Sequence, residues 1–270
     1  MRRAVQEYFD RDADNYRLAY AGPEGSTRSR IFRERRRLVL ECLEDPVGRI
    51  LNVGSGPGVF EPLLLERGGE LWMVDVSPEM VSAGRRLLAA HPEAHRVHCQ
   101  VADVEALPFP EGTFDTTLCV GVLQYLAAPG VAIAELSRVT RPGGQVVISF
   151  PNAGSWLNWG HQGLVRMLRA GRRALRRAGI ELRPHPLRLS FRDDIPDAPL
   201  EVSRVEEAAR QAGLEPTRVV YGCLQCPVVL EGFPALLRGW DRGVSRLVTA
   251  RRLPRWGREA ILCFRRIPLP

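Results

Sequence analysis

The sequence predicts an α/β fold in which helices cover both faces of a mostly parallel β-sheet. From residue 49 to residue 150, short apolar runs without strict polar–apolar alternation take turns with helix-like segments, a pattern typical of strands buried on both faces. The first run leads into the glycine-rich turn Gly54–Gly58, and the second run, 71–75, ends in an acid, Asp75. Strand, glycine turn, helix, strand and acid is the layout of a Rossmann-type nucleoside site.

Each element of this core has a local reason in the sequence. Glycines after the first strand keep side chains out of the way of a ligand that approaches the backbone. A Pro-Gly-Gly run, residues 142–144, ends the last helix and leads into the last strand of the core. In chain order the predicted elements are strand 49–53, helix 58–67, strand 71–75, helix 78–90, strand 95–99, a loop, strand 115–120, helix 129–140 and strand 145–150.

The residues before the sheet predict helices. Residues 1–20 indicate one or two short helices rich in aromatic side chains, and a Gly/Ser/Pro-rich turn at 21–26 separates them from the next helix. That helix, about 28–44, carries an apolar stripe made of Ile31, Leu38, Val39 and Cys42.

Composition excludes several classes of protein. The chain has 270 residues, of which 45% are hydrophobic and 26% charged, with a mean hydropathy of −0.14; these are ordinary globular values. No apolar run approaches the ~20 residues that span a bilayer, and the N-terminus lacks the apolar core of a signal peptide. We therefore expect a cytoplasmic location, with peripheral membrane contact as an open alternative.

The positive charge is concentrated in two segments. The net charge is +7, and all 38 basic residues are arginines. Residues 151–200 hold 9 Arg against 4 acids, and residues 232–266 hold 9 Arg against 2 acids. The remainder, which includes the core from 48 to 150, is net negative. Because a GC-rich genome favours Arg codons, the Arg count by itself is weak evidence for a nucleic-acid partner, and we do not expect one.

The glycine turn is spaced G-x-G-x-G and not G-x-G-x-x-G, and with five later motifs it resembles the class I S-adenosylmethionine (SAM) methyltransferases. The small-molecule enzymes related to quinone and sterol methyltransferases are the nearest subgroup. The motifs, in family order over about residues 48–150, are the turn Gly54–Gly58, Asp75–Met80, Val101–Val104, Leu107–Pro110 with Phe114-Asp115, Gly121–Tyr125 and Arg138–Ser149.

The resemblance implies a Rossmann-like, seven-stranded, mostly parallel sheet. The family fold then requires one more helix and two antiparallel strands, which we assign to 203–213, 217–221 and 259–265. The implied domains are an N-terminal helical cover (1–44), the SAM-binding core (45–150), an Arg-rich helical insertion or lid (151–202), and the C-terminal part of the core (203–270) with a helical insertion at about 223–257. The apolar stripes of both insertions either pack on the core or contact the acceptor or a membrane.

The resemblance also implies which residues hold the cofactor, SAM. Asp75 should accept hydrogen bonds from the ribose hydroxyls, and Asp103 from the adenine amino group. Asn52 stands where the family usually has an acid; it keeps a hydrogen-bond acceptor but supplies no charge. The full predicted cofactor set is Tyr16, Asn52, Gly54, Ser55, Gly56, Gly58, Asp75, Val76, Met80, Ala102, Asp103, Val104, Cys119, Val120 and Gln124.

The implied activity is transfer of a methyl group from SAM to an O, N or C atom of a small, hydrophobic or lipid-like molecule. Positioning supplies much of the catalysis in such a displacement; His161 and Tyr125 are the candidate catalytic residues if a base is needed. The open alternatives are an RNA methyltransferase and a SAM-fold protein that binds SAM or cyclises a substrate without methyl transfer. The pair Cys223 and Cys226 lacks partners at zinc spacing, so no metal is expected.

Overall fold

The computed structural model of the chain describes residues 2–21, 27–44, 48–160, 163, 167, 198–223 and 256–268. Seven strands form one sheet in the order β3-β2-β1-β4-β5-β7-β6. They are β1 (Ile50–Val53), β2 (Leu71–Asp75), β3 (Val97–Val101), β4 (Phe114–Val120), β5 (Thr140–Pro151), β6 (Leu214–Gly222) and β7 (Glu259–Arg266). The first five are parallel, and β7 runs antiparallel to both β5 and β6. The predicted fold class is confirmed.

Six helices lie wholly within the described ranges, and residues 156–160 are also helical. The six are α1 (Arg2–Ala21), α2 (Thr27–Cys42), α3 (Glu61–Leu65), α4 (Pro78–Leu88), α5 (Pro129–Val139) and α6 (Val202–Gln211). Side chains of β1 alternate between the two faces of the sheet: Leu51 and Val53 join the core that includes α5 and α6, whereas Ile50 joins the core that includes α2 and α3. Two buried cores on opposite faces explain why β1 has no polar alternation.

Several element bounds differ from the sequence prediction by a few residues; β6, for example, begins at Leu214 and not at residue 217. Three of the differences have a clear local reason. The helix expected from residue 58 begins at Glu61, because Gly58 still belongs to the turn, with φ at +77°. The third strand begins at Val97 and not at residue 95, because a 3₁₀ turn occupies Ala94–Arg96. The fifth strand begins at Thr140, so the Pro-Gly-Gly run lies inside the strand and not before it. The N-terminal residues form a single helix, α1.

Candidate cofactor and active site

The glycine turn between β1 and α3 has a backbone that few other residues adopt. Gly54, Gly56 and Gly58 have φ of +66°, +57° and +77°, a left-handed region that favours glycine. Space is short at Gly58, where a Cβ would lie 3.1 Å from the Cα of Gly84, whereas a Cβ on Gly56 would lie at an ordinary contact distance, 3.6 Å, from the Tyr16 ring. The turn therefore presents bare backbone to the space above it.

Asp75, at the end of β2, ties this turn to the start of α4. One carboxylate oxygen accepts a hydrogen bond from the amide of Gly56 at 2.9 Å, and the other accepts from the amide of Ser77 at 2.9 Å. Burial raises the pKa of Asp75 to about 6, although these backbone hydrogen bonds favour the charged form. Each oxygen keeps a lone pair for a further donor.

One cavity lies above the turn and brings most of the predicted residues together. Its lining includes ten of the predicted cofactor residues and the predicted catalytic residue Tyr125. The ten are Tyr16, Gly54, Gly56, Asp75, Val76, Met80, Ala102, Asp103, Val104 and Val120. Ser55 and Cys119 are buried beside it without lining it, and the same holds for Gly58 beneath the turn. His161 lies outside the described residues.

The charged side chains that line the cavity are all acidic among the described residues. Asp75, Asp103 and Glu105 line it, and no basic side chain does so among the described residues. Asp103 is held in place because its carboxylate accepts the amide hydrogen of Glu105 at 3.0 Å. An acidic lining attracts a cationic ligand and repels a phosphate-bearing one.

Helix α1 covers the cavity with aromatic side chains. Val5, Phe9 and Tyr16 face into it. The Phe9 ring packs edge-on against Tyr125 at 5.5 Å and against Tyr16 at 6.0 Å, measured between ring centroids. The hydroxyl of Ser77, which also caps α4 by accepting from the amide of Met80, donates to Asp10 of α1 at 2.5 Å. Phe9 was missed as a site residue, although the run of N-terminal aromatics indicated a cover.

The end of β4 contributes a thiol and an amide to the surroundings of the cavity. Burial raises the pKa of Cys119 to about 12, so its thiol stays protonated and does not act as a nucleophile. The side-chain amide of Gln124 donates to the carbonyl of Gly121 at 3.0 Å, whereas its own oxygen is buried and has no hydrogen-bond partner among the described residues. Gln124 does not line the cavity, and its contact with the cofactor stays a prediction.

Beneath the turn, Asn52 meets an acid that sequence reasoning missed. The Asn52 amide donates to Glu61 at 2.7 Å, and the other Glu61 oxygen accepts from the amide of Phe60 at 3.0 Å. Glu61 is fully buried. Burial raises its pKa to about 7, and the charge of Asp75 adds to the rise. In the sequence, residue 61 falls inside the predicted helix 58–67, and nothing in that pattern marks its side chain as part of the site.

The described residues contain neither a candidate metal-binding cluster nor a membrane-spanning helix. In the described ranges, no three His, Cys, Asp or Glu side chains are grouped so as to hold a metal ion. Cys223 is buried, and Cys226 lies outside those ranges. In the described part of the chain, no helix is long and apolar enough to cross a membrane.

The Rossmann-like sheet and the cavity over its glycine turn are those expected of a class I SAM-dependent methyltransferase. Comparison with known proteins agrees with this class. Residues 51–148 match the family of the methyltransferase domain. The resemblance to class I SAM-dependent methyltransferases is confirmed.

Among curated relatives, the malonyl-[acyl-carrier protein] O-methyltransferase of Serratia marcescens is 36% identical over 110 residues, covering 41% of this chain and 41% of the relative. The demethylmenaquinone methyltransferase of Thermus thermophilus is 38% identical over 123 residues, covering 44% of this chain and 55% of the relative. The chain thus spans about half the length of the curated relatives it matches.

Among solved structures, the [4+2]-cyclase SpnF superposes with a TM-score of 0.60 at 20% identity, covering 97% of this chain and 96% of that one. At this identity the likeness concerns the fold alone. Because the matched protein is a cyclase by name, the fold by itself does not determine the reaction.

Proposed function

We propose that this protein is a SAM-dependent methyltransferase that acts on a small, hydrophobic acceptor. The observation that carries the proposal is the cavity within the methyltransferase-domain match: a bare glycine turn, Asp75 and Asp103 surround one acidic space. SAM has a net positive charge, whereas dinucleotides carry a negative pyrophosphate. The lack of basic residues in the described lining supports SAM over a dinucleotide.

The residues present fit this cofactor. A side chain on Gly56 would project into the space between the turn and Tyr16, with its Cβ 3.6 Å from the Tyr16 ring, and glycine leaves that space open to a ligand. Asp75 keeps lone pairs for two ribose hydroxyls, and Asp103 stands beside the apolar wall of Ala102 and Val104, where an adenine amino group would donate to it. SAM, when bound, supplies a methyl group on an activated sulfonium.

The chain's own contribution is orientation and exclusion of water. Val122, Leu126 and Tyr125 line the cavity after β4, and Val5 and Phe9 close it from α1. This apolar end is suited to a hydrophobic acceptor, and holding two reactants in line removes much of the barrier to displacement. Tyr125 is the described residue placed to accept or pass on an acceptor proton. The curated relatives are named for a malonyl-acyl-carrier protein and a demethylmenaquinone, which supports a small acceptor or a small group carried on a protein.

The experiment combines binding with label transfer. Calorimetry of the purified protein should detect SAM binding, and protein incubated with methyl-labelled SAM and lipid or metabolite extracts should transfer label to an organic-soluble product. Label in added RNA would favour the RNA methyltransferase alternative. Binding of SAM without transfer to any fraction would favour the binding or cyclase alternative. A folded protein that does not bind SAM would overturn the proposal.

The domain division remains part of the proposal. We propose that 1–44 forms the cover, 45–150 with 203–222 and 259–266 forms the core, and the Arg-rich segments 151–202 and 223–257 form insertions near the acceptor. At the start of the first insertion, the side chains of Trp156, Trp159 and Met167 are 52%, 72% and 64% exposed. Exposed tryptophans followed by arginines suit contact with an anionic membrane surface.

This contact is tested by cosedimentation with anionic liposomes. Binding should occur at low salt and weaken at high salt, because exposed charges are screened beyond ~8 Å at physiological strength. Replacing Arg172, Arg173, Arg176 and Arg177 by Gln should reduce binding without changing SAM affinity. Absence of cosedimentation at every salt concentration would favour packing of the insertions on the core and an acceptor outside the membrane.

A further inference from the structure

We propose that Glu61 is a positioning residue of the cofactor turn, and that its ionised carboxylate joins the two ends of the turn and so makes ligand binding depend on its charge. The inference rests on the proposed function, since it concerns the same SAM site. Glu61 does not line the cavity and is not expected to touch the ligand.

The first argument is geometric. Asn52 is the next-to-last residue of β1, where the turn begins, and Phe60 directly precedes α3, where it ends. Glu61 is hydrogen-bonded to both: it accepts from the Asn52 amide at 2.7 Å and from the Phe60 backbone amide at 3.0 Å. A Cβ added to Gly58 would lie 3.7 Å from the second of these oxygens. The carboxylate therefore lies under the turn and connects its two ends.

The second argument concerns protonation. Both hydrogen bonds need Glu61 as an acceptor, and only the ionised form offers two acceptor oxygens. A protonated Glu61 would direct its O–H toward one of these two donors. This would break one of the two hydrogen bonds, or it would force the Asn52 amide to rotate so that its oxygen accepts from Glu61. Since burial raises the pKa of Glu61 to about 7, the two forms exchange near neutral pH.

The charges around Glu61 leave its carboxylate available to a cationic ligand. Asp75 of β2 is the ionisable neighbour that raises its pKa, and the thiol of Cys99 on β3 is in turn affected by the Glu61 charge. Cations on the helices packed nearby bind backbone oxygens: Arg36 of α2 donates to Val59 and Arg85 of α4 donates to Cys99. In the described part of the chain, Glu61 forms no ion pair, and a cation bound above the turn would stabilise its ionised form.

The test measures SAM affinity by calorimetry from pH 5.5 to pH 8.5. For the wild type, we expect affinity to fall below about pH 7 and to fall more steeply below about pH 6, where Asp75 also takes up a proton. Glu61→Gln should bind SAM about tenfold more weakly at pH 8.5, and its profile should keep only the lower bend. Glu66→Gln makes the same change on an exposed residue that ends α3 and should behave as the wild type.

An exchange variant separates positioning from simple loss of structure. Asn52→Asp with Glu61→Gln restores both hydrogen bonds with the acid on the strand and the amide on the helix, and should bind SAM within about threefold of the wild type. If Glu61→Gln does not fold, a folded exchange variant that binds SAM supports the inference and one that does not bind overturns it. A folded Glu61→Gln with wild-type affinity and both bends also overturns it. Failure of the wild type to bind SAM at pH 8.5 would overturn the proposed function together with this inference.

Discussion

The cofactor turn and the terminal hairpin of β6 and β7 both bury carboxylates, but they surround them differently. At the turn, Glu61 and Asp75 accept hydrogen bonds from backbone amides and from Asn52, and neither forms an ion pair with a described residue. At the start of β7, Glu259 accepts from Arg35 of α2 at 3.0 Å and from the hydroxyl of Ser149 at 3.1 Å. The turn therefore keeps a negative charge available to a ligand, whereas the charge of Glu259 in the hairpin is neutralised by Arg35 of α2.

The difference teaches where buried charge serves binding and where it serves the fold. A carboxylate held only by neutral donors is costly when ionised, and a cationic ligand recovers part of that cost. A buried pair such as Arg35 and Glu259 is strongly destabilised when one partner is removed, because the other is left without its countercharge. Changes at the turn should mainly alter ligand affinity, and changes at the hairpin should mainly alter the free energy of unfolding.

The largest expected effect is loss of SAM binding in Gly56→Val. The branched side chain enters the space between the turn and Tyr16 and also opposes a φ of +57°, while the sheet should stay intact. Calorimetry gives the affinity, and thermal unfolding checks the fold. Gly68→Val is the control, because Gly68 has a φ of +91° but open space around its Cβ. Retained binding in Gly56→Val would make the glycine turn structural only.

Breaking the hairpin pair should cost stability and spare affinity. Glu259→Ala removes the carboxylate that pairs with the buried Arg35 guanidinium, and should lower the free energy of unfolding by about 3–5 kcal/mol. The folded fraction should bind SAM as the wild type does. Glu44→Ala removes an exposed ion pair with Arg265 and should change stability by less than about 1 kcal/mol. A large loss of SAM affinity in Glu259→Ala would contradict the separation of the two regions.

At the turn, Asp75→Ala should weaken SAM binding more than it lowers the free energy of unfolding. Two ribose hydroxyls would lose a charged acceptor, so SAM binding should weaken by roughly 2–4 kcal/mol, as measured by calorimetry. Thermal unfolding of the ligand-free variant should show a cooperative transition, since a buried carboxylate has been removed and not a packed apolar side chain. Wild-type affinity in the folded variant would remove Asp75 from the ribose site.

The pH dependence of stability sharpens the comparison further. Glu61 has a folded pKa of about 7, above its ordinary value of 4.5, so the native state binds the proton more tightly than the unfolded state does. Its contribution is fully present below the unfolded pKa and is lost as pH rises through about 7. Between pH 5 and pH 8, the free energy of unfolding of the ligand-free wild type should fall by roughly 2–3 kcal/mol more than that of Glu61→Gln. Denaturant unfolding at each pH measures this difference. Parallel pH profiles for the two proteins would show that Glu61 does not titrate in this range.

Much of the core could be predicted from the sequence because its signals are local. The run 71–75 matches β2 residue for residue, because four apolar residues followed by an acid suffice to define a short buried strand. Ser77, directly before α4, caps the helix with its side chain, a role that serine takes at many helix starts. The errors were also local: Gly58 was placed in a helix that the left-handed turn delays, and the Pro-Gly-Gly run was read as ending a helix where the structure continues a strand.

By itself, the sequence determined the α/β class, the parallel order of core elements and the residues at the ends of β1 and β2, because periodicity and glycine spacing act over a few residues. Tertiary structure alone decided which distant polar groups meet. Arg35 and Glu259 are 224 positions apart, Asp10 reaches Ser77 across 67, and Glu61 turns back to Asn52 across 9. No periodic pattern marks such contacts, since a buried polar group takes whichever partner the packed backbone brings within hydrogen-bond distance.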